Sequence, residues 1–115
     1  MSIEISPSQA LALWRGAVSE SVRRDGPDLS ARQSAVLMTV YLADPPHTVR
    51  GLSESLNIAK PAVTRALDRL SELGLVRRKQ DDQDRRSVLI QRTVKGSVFL
   101  SDFAELIVAS ARETG

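Results

Sequence analysis

The sequence predicts a mainly α chain with one small β-hairpin, an α+β arrangement in a single domain of 115 residues. Three observations predict it. Ser6 to Gln9 and Ser30 to Gln33 repeat the Ser-x-x-Gln spacing of a capping box, so two helices have marked starts. Ala59 to Val76 places apolar side chains at helical spacing with a polar, basic face opposite. After Gly74, two strand-like runs flank the polar turn from Gln80 to Arg86. The length suits one core and is too short for two.

Composition narrows the function classes. The sequence lacks a run of about 18 apolar residues, and MSIEISPSQA has neither a basic opening nor an apolar centre, so neither a membrane span nor a signal peptide is expected. A cytoplasmic location is expected. Cysteine is absent, which removes disulfides, thiolate metal sites and cysteine redox chemistry together. The net charge of +2 is unevenly spread. Residues 1–59 hold five cations and six anions, residues 60–95 ten and five, and residues 96–115 one and three. A one-sided basic excess in a small domain is the footprint of a nucleic-acid binder, although a solvated charged surface has the same composition.

In the first helix, Ser6 caps, Pro7 suits the first turn, and the helix is expected to run to about Arg24. Ala10, Trp14, Ala17, Val18, Ser21 and Val22 form its stripe, which Leu11 and Leu13 widen. Trp14 is read as a packing residue. Asp25-Gly26-Pro27 ends the helix. Ser30 opens a second helix through Val36, Leu37, Val40 and Tyr41, stopped by Asp44-Pro45-Pro46. His47 follows as the sole histidine, and without partners of metal-ligand type it is read as an ordinary loop residue, with no metal and no cofactor expected.

Thr48 caps a short third helix, Val49 to Leu56, with Val49, Leu52 and Leu56 as contacts. Asn57 and Ile58 turn into the fourth. There Val63, Ala66, Leu67, Leu70 and Leu73 make the buried stripe, and Pro61, Thr64, Arg65, Asp68 and Arg69 the outer face. A short helix, a tight turn and a second helix with a polar outer face form a helix-turn-helix. An Arg fork bridges guanine O6 and N7, and a Thr offers a hydroxyl or a methyl to a base edge, so this face suits a major groove. Its bland alternative is a solvated helix surface. The cap position holds Ala59 or Lys60 rather than Ser or Thr, leaving early N–H groups for a phosphate.

Gly74 ends this helix. Leu75 to Lys79 and Ser87 to Arg92 read as strands, making the hairpin a wing. Arg85 and Arg86 at its tip suit a narrow minor groove. Asp84 is expected to pair with a nearby arginine, since an unpaired DDQD run would repel phosphates. Lys60, Arg77, Arg78, Lys79 and Arg92 are the expected phosphate contacts, and Thr64, Arg65 and Arg69 the base readers. Thr93 caps a last helix, Val94 to about Arg112. Val98, Phe99, Leu100, Phe103, Leu106, Ile107 and Val108 make it apolar on more than one face, more than a small domain covers alone. A partner surface follows, with Leu11, Trp14, Val18, Phe99, Phe103, Leu106 and Ile107 as the expected dimerisation residues.

Taken together, these residues resemble the MarR family of winged-helix transcriptional regulators. The resemblance rests on Leu29-Ser30-Ala31-Arg32-Gln33, on Thr48 to Leu56, on Ala62 to Leu70, on Gly74 to Arg78, on Asp84-Arg85-Arg86, and on Thr93-Val94-Lys95-Gly96. Their order and spacing from Leu29 to Leu100 carry it. It implies a homodimer on a pseudo-palindromic operator, with recognition helices in successive major grooves and wings in flanking minor grooves. Carried over, Pro61, Thr64, Arg65 and Arg69 match recognition-helix positions, and Asp84, Arg85 and Arg86 match the wing-tip motif. The implied organisation is an N-terminal dimerisation helix at 1–28, a winged helix-turn-helix at 29–93 and a C-terminal dimerisation helix at 94–115. Family members usually add a further C-terminal helix, so relative to them this sequence has a shortened C-terminus.

The expected function is a sequence-specific double-stranded DNA-binding regulator, a repressor by resemblance. The alternative is a winged-helix adaptor that binds another regulator through its apolar last helix. Many members place a small-molecule pocket between the dimer helices and the DNA-binding lobe, but one Trp, one Tyr and two Phe supply few walls for an aromatic ligand, so an effector has no support in these residues. Enzymatic chemistry is not expected. Acid-base and nucleophilic mechanisms need converging groups, and Gly51, Gly74 and Gly96 are too far apart to form a phosphate-cradling loop.

Overall fold

The computed structural model describes residues 2–114; Met1 and Gly115, the two ends of the sequence read above, lie outside the described residues. Among the described residues the order is α1 (Pro7–Arg23), α2 (Ala31–Leu42), α3 (Val49–Leu56), α4 (Lys60–Glu72), β1 (Val76–Gln80), β2 (Val88–Arg92) and α5 (Val94–Thr114). The chain divides into two compact units, Leu29–Phe99 and Met1–Asp28 with Leu100–Gly115. In the described residues no helix is long and apolar enough to cross a membrane.

The unit Leu29–Phe99 is built around one core. Val36, Leu37 and Val40 of α2, Leu52 of α3, and Val63, Leu67 and Leu70 of α4 meet Leu75, Val76 and Ile90 of the hairpin. None of these ten is more than 3% exposed. At about 1.5–3 kcal/mol for each fully buried aliphatic side chain, this burial is the main force holding the unit. Caps define its helices. Ser30 Oγ accepts from the Gln33 N–H at 3.1 Å and Gln33 Oε1 accepts from the Ser30 N–H at 2.9 Å. Thr48 Oγ1 accepts from the Gly51 N–H at 3.0 Å.

The turn between α3 and α4 runs through Asn57 at φ 53°, a left-handed conformation that Asn tolerates. Ser53 Oγ closes it by donating to the Ile58 carbonyl at 2.6 Å. After α4, Gly74 at φ 75° lets the Leu75 N–H return to the Leu70 carbonyl at 2.9 Å. Leu75 thus closes the helix instead of pairing in the sheet. The strands consequently begin one residue later than expected, with an antiparallel register from Val76 opposite Arg92 to Gln80 opposite Val88.

Three side chains join α2 to the base of the hairpin. Tyr41 Oη accepts from the Thr93 N–H at 2.8 Å and donates to the Leu75 carbonyl at 2.6 Å. Gly96 packs so closely here that a Cβ would overlap Tyr41 Oη and the Leu75 carbonyl oxygen, so a side chain is excluded. His47, read as an ordinary loop residue, lies in the loop between α2 and α3 but is buried there. It is 8% exposed, its Nε2 lies 3.1 Å from the Ala43 carbonyl oxygen, and its own carbonyl accepts from the Ile90 N–H at 2.9 Å. Arg92, expected as a phosphate contact, is exposed but braced against α2. Its Nε donates to the Val40 carbonyl at 2.8 Å and its Nη2 to the Ala43 carbonyl at 3.1 Å. Those are carbonyls at the C-terminal end of α2, where a cation also meets the helix dipole favourably.

The other unit pairs α1 with the later part of α5. Its seam uses small and aromatic residues. Ser110 Oγ donates to the Leu13 carbonyl at 2.7 Å, and a Cβ at Gly16 would overlap that hydroxyl. Trp14 meets Phe103 edge-on, with ring centroids 6.2 Å apart. Among the described residues of this unit, Ala17, Leu106 and Ser110 are buried. Leu106, expected at a partner surface, is only 7% exposed and packs within its own chain. Leu11 and Trp14, by contrast, are 72% and 52% exposed, and Val18, Val22 and Val108 are also exposed. Phe103 and Ile107 are half-buried, as is Phe99 at the end of the unit Leu29–Phe99.

Candidate nucleic-acid interface

The two faces of α4 separate cleanly. Ala62, Val63, Ala66, Leu67 and Leu70 are buried, with Ala62 added to the expected stripe and Leu73 half-buried at the C-cap. Pro61, Thr64, Arg65, Asp68 and Arg69 are all exposed on the opposite side. At 1.5 Å per residue the helix is about 20 Å long, with a diameter that a major groove about 12 Å wide admits.

The start of α4 differs from its expectation in degree. Ala59 supplies no side-chain cap, as the sequence suggested, yet its carbonyl accepts from the N–H groups of Ala62 at 2.9 Å and Val63 at 3.1 Å. Pro61 has no N–H. Among the described residues two early donors, the Ala59 and Lys60 N–H groups, therefore have no acceptor.

The basic residues of β1 are exposed and partly braced. Arg78 Nη1 lies 2.8 Å from Asp68 Oδ1, which links the outer face of α4 to the hairpin. Arg77 Nε donates to Gln91 Oε1 at 3.0 Å, and Arg69 lies 3.5 Å from Glu72. Exposed pairs of this kind contribute about 0–1 kcal/mol, so they orient the cations without removing them from use by an incoming anion. Lys60, Arg65, Lys79 and Arg85 make no ion pair among the described residues.

At the wing tip Asp82 and Asp84 are exposed, while Asp81 and Asp84 are bonded into the turn. Asp84 Oδ1 accepts from the Arg86 N–H at 3.1 Å and lies 3.5 Å from Arg86 Nε, the expected pairing. Asp84 Oδ2 accepts from Ser87 Oγ at 3.3 Å, and Asp81 Oδ1 accepts from the Gln83 N–H at 2.9 Å. Gln80 Nε2 holds the Arg85 carbonyl at 2.7 Å. These bonds shape the turn and consume acceptors that would otherwise face phosphates. The Arg86 side chain remains 95% exposed.

One feature was not legible beforehand. A cleft of about 290 Å³ lies between α2 and α4, lined by Ser30, Arg32, Gln33, Ala62, Arg65 and Ala66. Arg32 is not among the residues expected at the interface. Its signal is the lack of a carboxylate at the i+3 and i+4 positions, Ala35 and Val36, which leaves the guanidinium without an intrahelical partner.

A model of the MarR family matches residues 29–88, from the start of α2 through the hairpin tip. This chain belongs to the MarR family. Every MarR-family site residue expected above, from Lys60 to Arg86, falls within the matched segment. Solved structures share the winged fold. A glycine-to-lysine mutant of MepR from S. aureus is 20% identical, with a TM-score of 0.76 over 96% of this chain and 82% of its own. The transcriptional repressor CouR, bound to a 23-mer DNA duplex, is 24% identical, with a TM-score of 0.71 over 92% and 72%. A cysteine-to-serine mutant of MarR from E. coli, complexed with operator DNA, is 25% identical, with a TM-score of 0.69 over 92% and 70%.

Proposed function

We infer that this MarR-family chain is a double-stranded DNA-binding transcriptional regulator, and we assign it the finer role of a cytoplasmic repressor that binds a pseudo-palindromic operator as a homodimer. The observation that carries the reading is α4: one face locked into the core and the other an exposed row of Pro61, Thr64, Arg65, Asp68 and Arg69. CouR and E. coli MarR, similar in fold, are DNA-bound in their structures, which supports the same partner for this chain. The reading assigns it no catalytic reaction.

In this role Thr64, Arg65 and Arg69 discriminate bases, at about 1–3 kcal/mol for each good bidentate pair. Lys60, Arg77, Arg78 and Lys79 contact phosphates, and Pro61 sets the approach of the first turn. The wing tip, Asp84 to Arg86, enters the adjacent minor groove with its arginines exposed. Leu11, Trp14 and Val18, with the half-buried Phe103 and Ile107, are assigned to the surface that joins two copies.

The test is a fluorescence-anisotropy titration against a duplex from upstream of the protein's own coding sequence and a scrambled duplex, at two salt concentrations. Tighter binding to the natural duplex, weakening steeply with salt, is the expected result. A folded protein that binds neither duplex would overturn the reading and favour an adaptor with a protein partner.

A further inference from the structure

The cleft between α2 and α4 brings together two cations from different helices. Arg32 and Arg65 both line it, no carboxylate does, and neither arginine makes an ion pair among the described residues. Two like charges sharing one depression repel unless an anion sits with them. The remaining polar lining is biased the same way. Ser30 Oγ and Gln33 Oε1 already accept within the capping box, so the hydrogens left over, on Ser30 Oγ and Gln33 Nε2, are donors. The cleft thus offers donors and positive charge.

Its place along α4 is also informative. Ala62, Arg65 and Ala66 belong to the first two turns of the helix, whereas the Arg78–Asp68 pair and the hairpin follow from its later part. With α4 seated in a major groove, as the DNA-binding reading has it, the cleft would lie beside the first two turns of the helix, on the flank facing α2.

We propose that Arg32, in the cleft it shares with Arg65, contacts a DNA backbone phosphate and supplies sequence-independent affinity at the N-terminal half of the recognition helix. The proposal rests on the DNA-binding reading and adds an anchor outside the recognition helix and wing. Arg32 contributes charge to the phosphate, and Arg65 retains the base edge, so the two arginines separate affinity from specificity.

The experiment measures the salt dependence of binding to the natural and scrambled duplexes for the wild type, Arg32→Ala, Arg32→Gln and Arg32→Lys. Loss of one phosphate contact lowers the slope of log affinity against log salt by about 0.9, so the wild-type advantage over Arg32→Ala shrinks roughly threefold between 50 and 200 mM salt. The loss is expected to be equal on both duplexes, Arg32→Gln should match Arg32→Ala, and Arg32→Lys should restore the slope. Unchanged slopes in folded Arg32→Ala and Arg32→Gln, with the wild type still selective, would overturn the phosphate contact alone. A loss confined to the natural duplex would overturn it too, making Arg32 a base reader. A wild type that binds neither duplex would overturn the regulator reading itself.

Discussion

The two units of this chain bury their residues very differently. The unit Leu29–Phe99 holds all nine of the large side chains that are essentially inaccessible, among them Leu37, Leu52, Leu67 and Leu70. The α1–α5 unit buries Ala17, Leu106 and Ser110 and leaves Leu11, Val22 and half of Trp14 to solvent. The first unit has a continuous apolar interior; the second has a seam but no comparable interior. The difference suits a division of labour in which one unit presents a rigid reading helix and the other is completed by a second copy.

The largest expected effect breaks the stronger unit. Leu67→Ala should cost about 2–5 kcal/mol, because the side chain is fully buried and its removal leaves a cavity. Chemical denaturation would register it, and a loss under 1 kcal/mol would mean the core is less continuous than described. Next, Trp14→Ala should raise the dimer dissociation constant by at least about 30-fold, the scale of an aromatic hot spot, while leaving the winged unit folded. Sedimentation equilibrium reads this directly, and an unchanged constant would remove the α1 face from the interface. Ser30→Ala should cost about 1 kcal/mol of stability through loss of the α2 cap. At the small end, Arg50→Ala, which removes an exposed pair with Glu54 at 3.2 Å, should shift stability by no more than about 0.5 kcal/mol.

Local features were legible in the sequence, and long-range ones were not. Capping boxes at Ser6 and Ser30 and the 3.6-residue period of α4 are written within a few residues, so helix starts and faces could be read directly. Arg92 and His47 hold long-range contacts that the sequence does not show: Arg92 bonds to carbonyls 52 and 49 residues away, and the Ile90 N–H donates to the His47 carbonyl. Leu106 was assigned to a partner surface because α5 is apolar on more than one side, and periodicity cannot then say which side turns inward. At the interface, Thr64, Arg65 and Arg69 were found from their helical spacing. The cleft was not, since it needs α2 and α4 side by side.

Whether the outer face of α4 reads sequence is tested most directly by the ratio of affinities for the natural and scrambled duplexes in Arg65→Ala against the wild type. Loss of a bidentate contact predicts a fall in that ratio of about 5- to 150-fold, with folding unchanged because Arg65 is exposed. Equal losses on both duplexes, leaving the ratio intact, would contradict the assignment of Arg65 to a base edge.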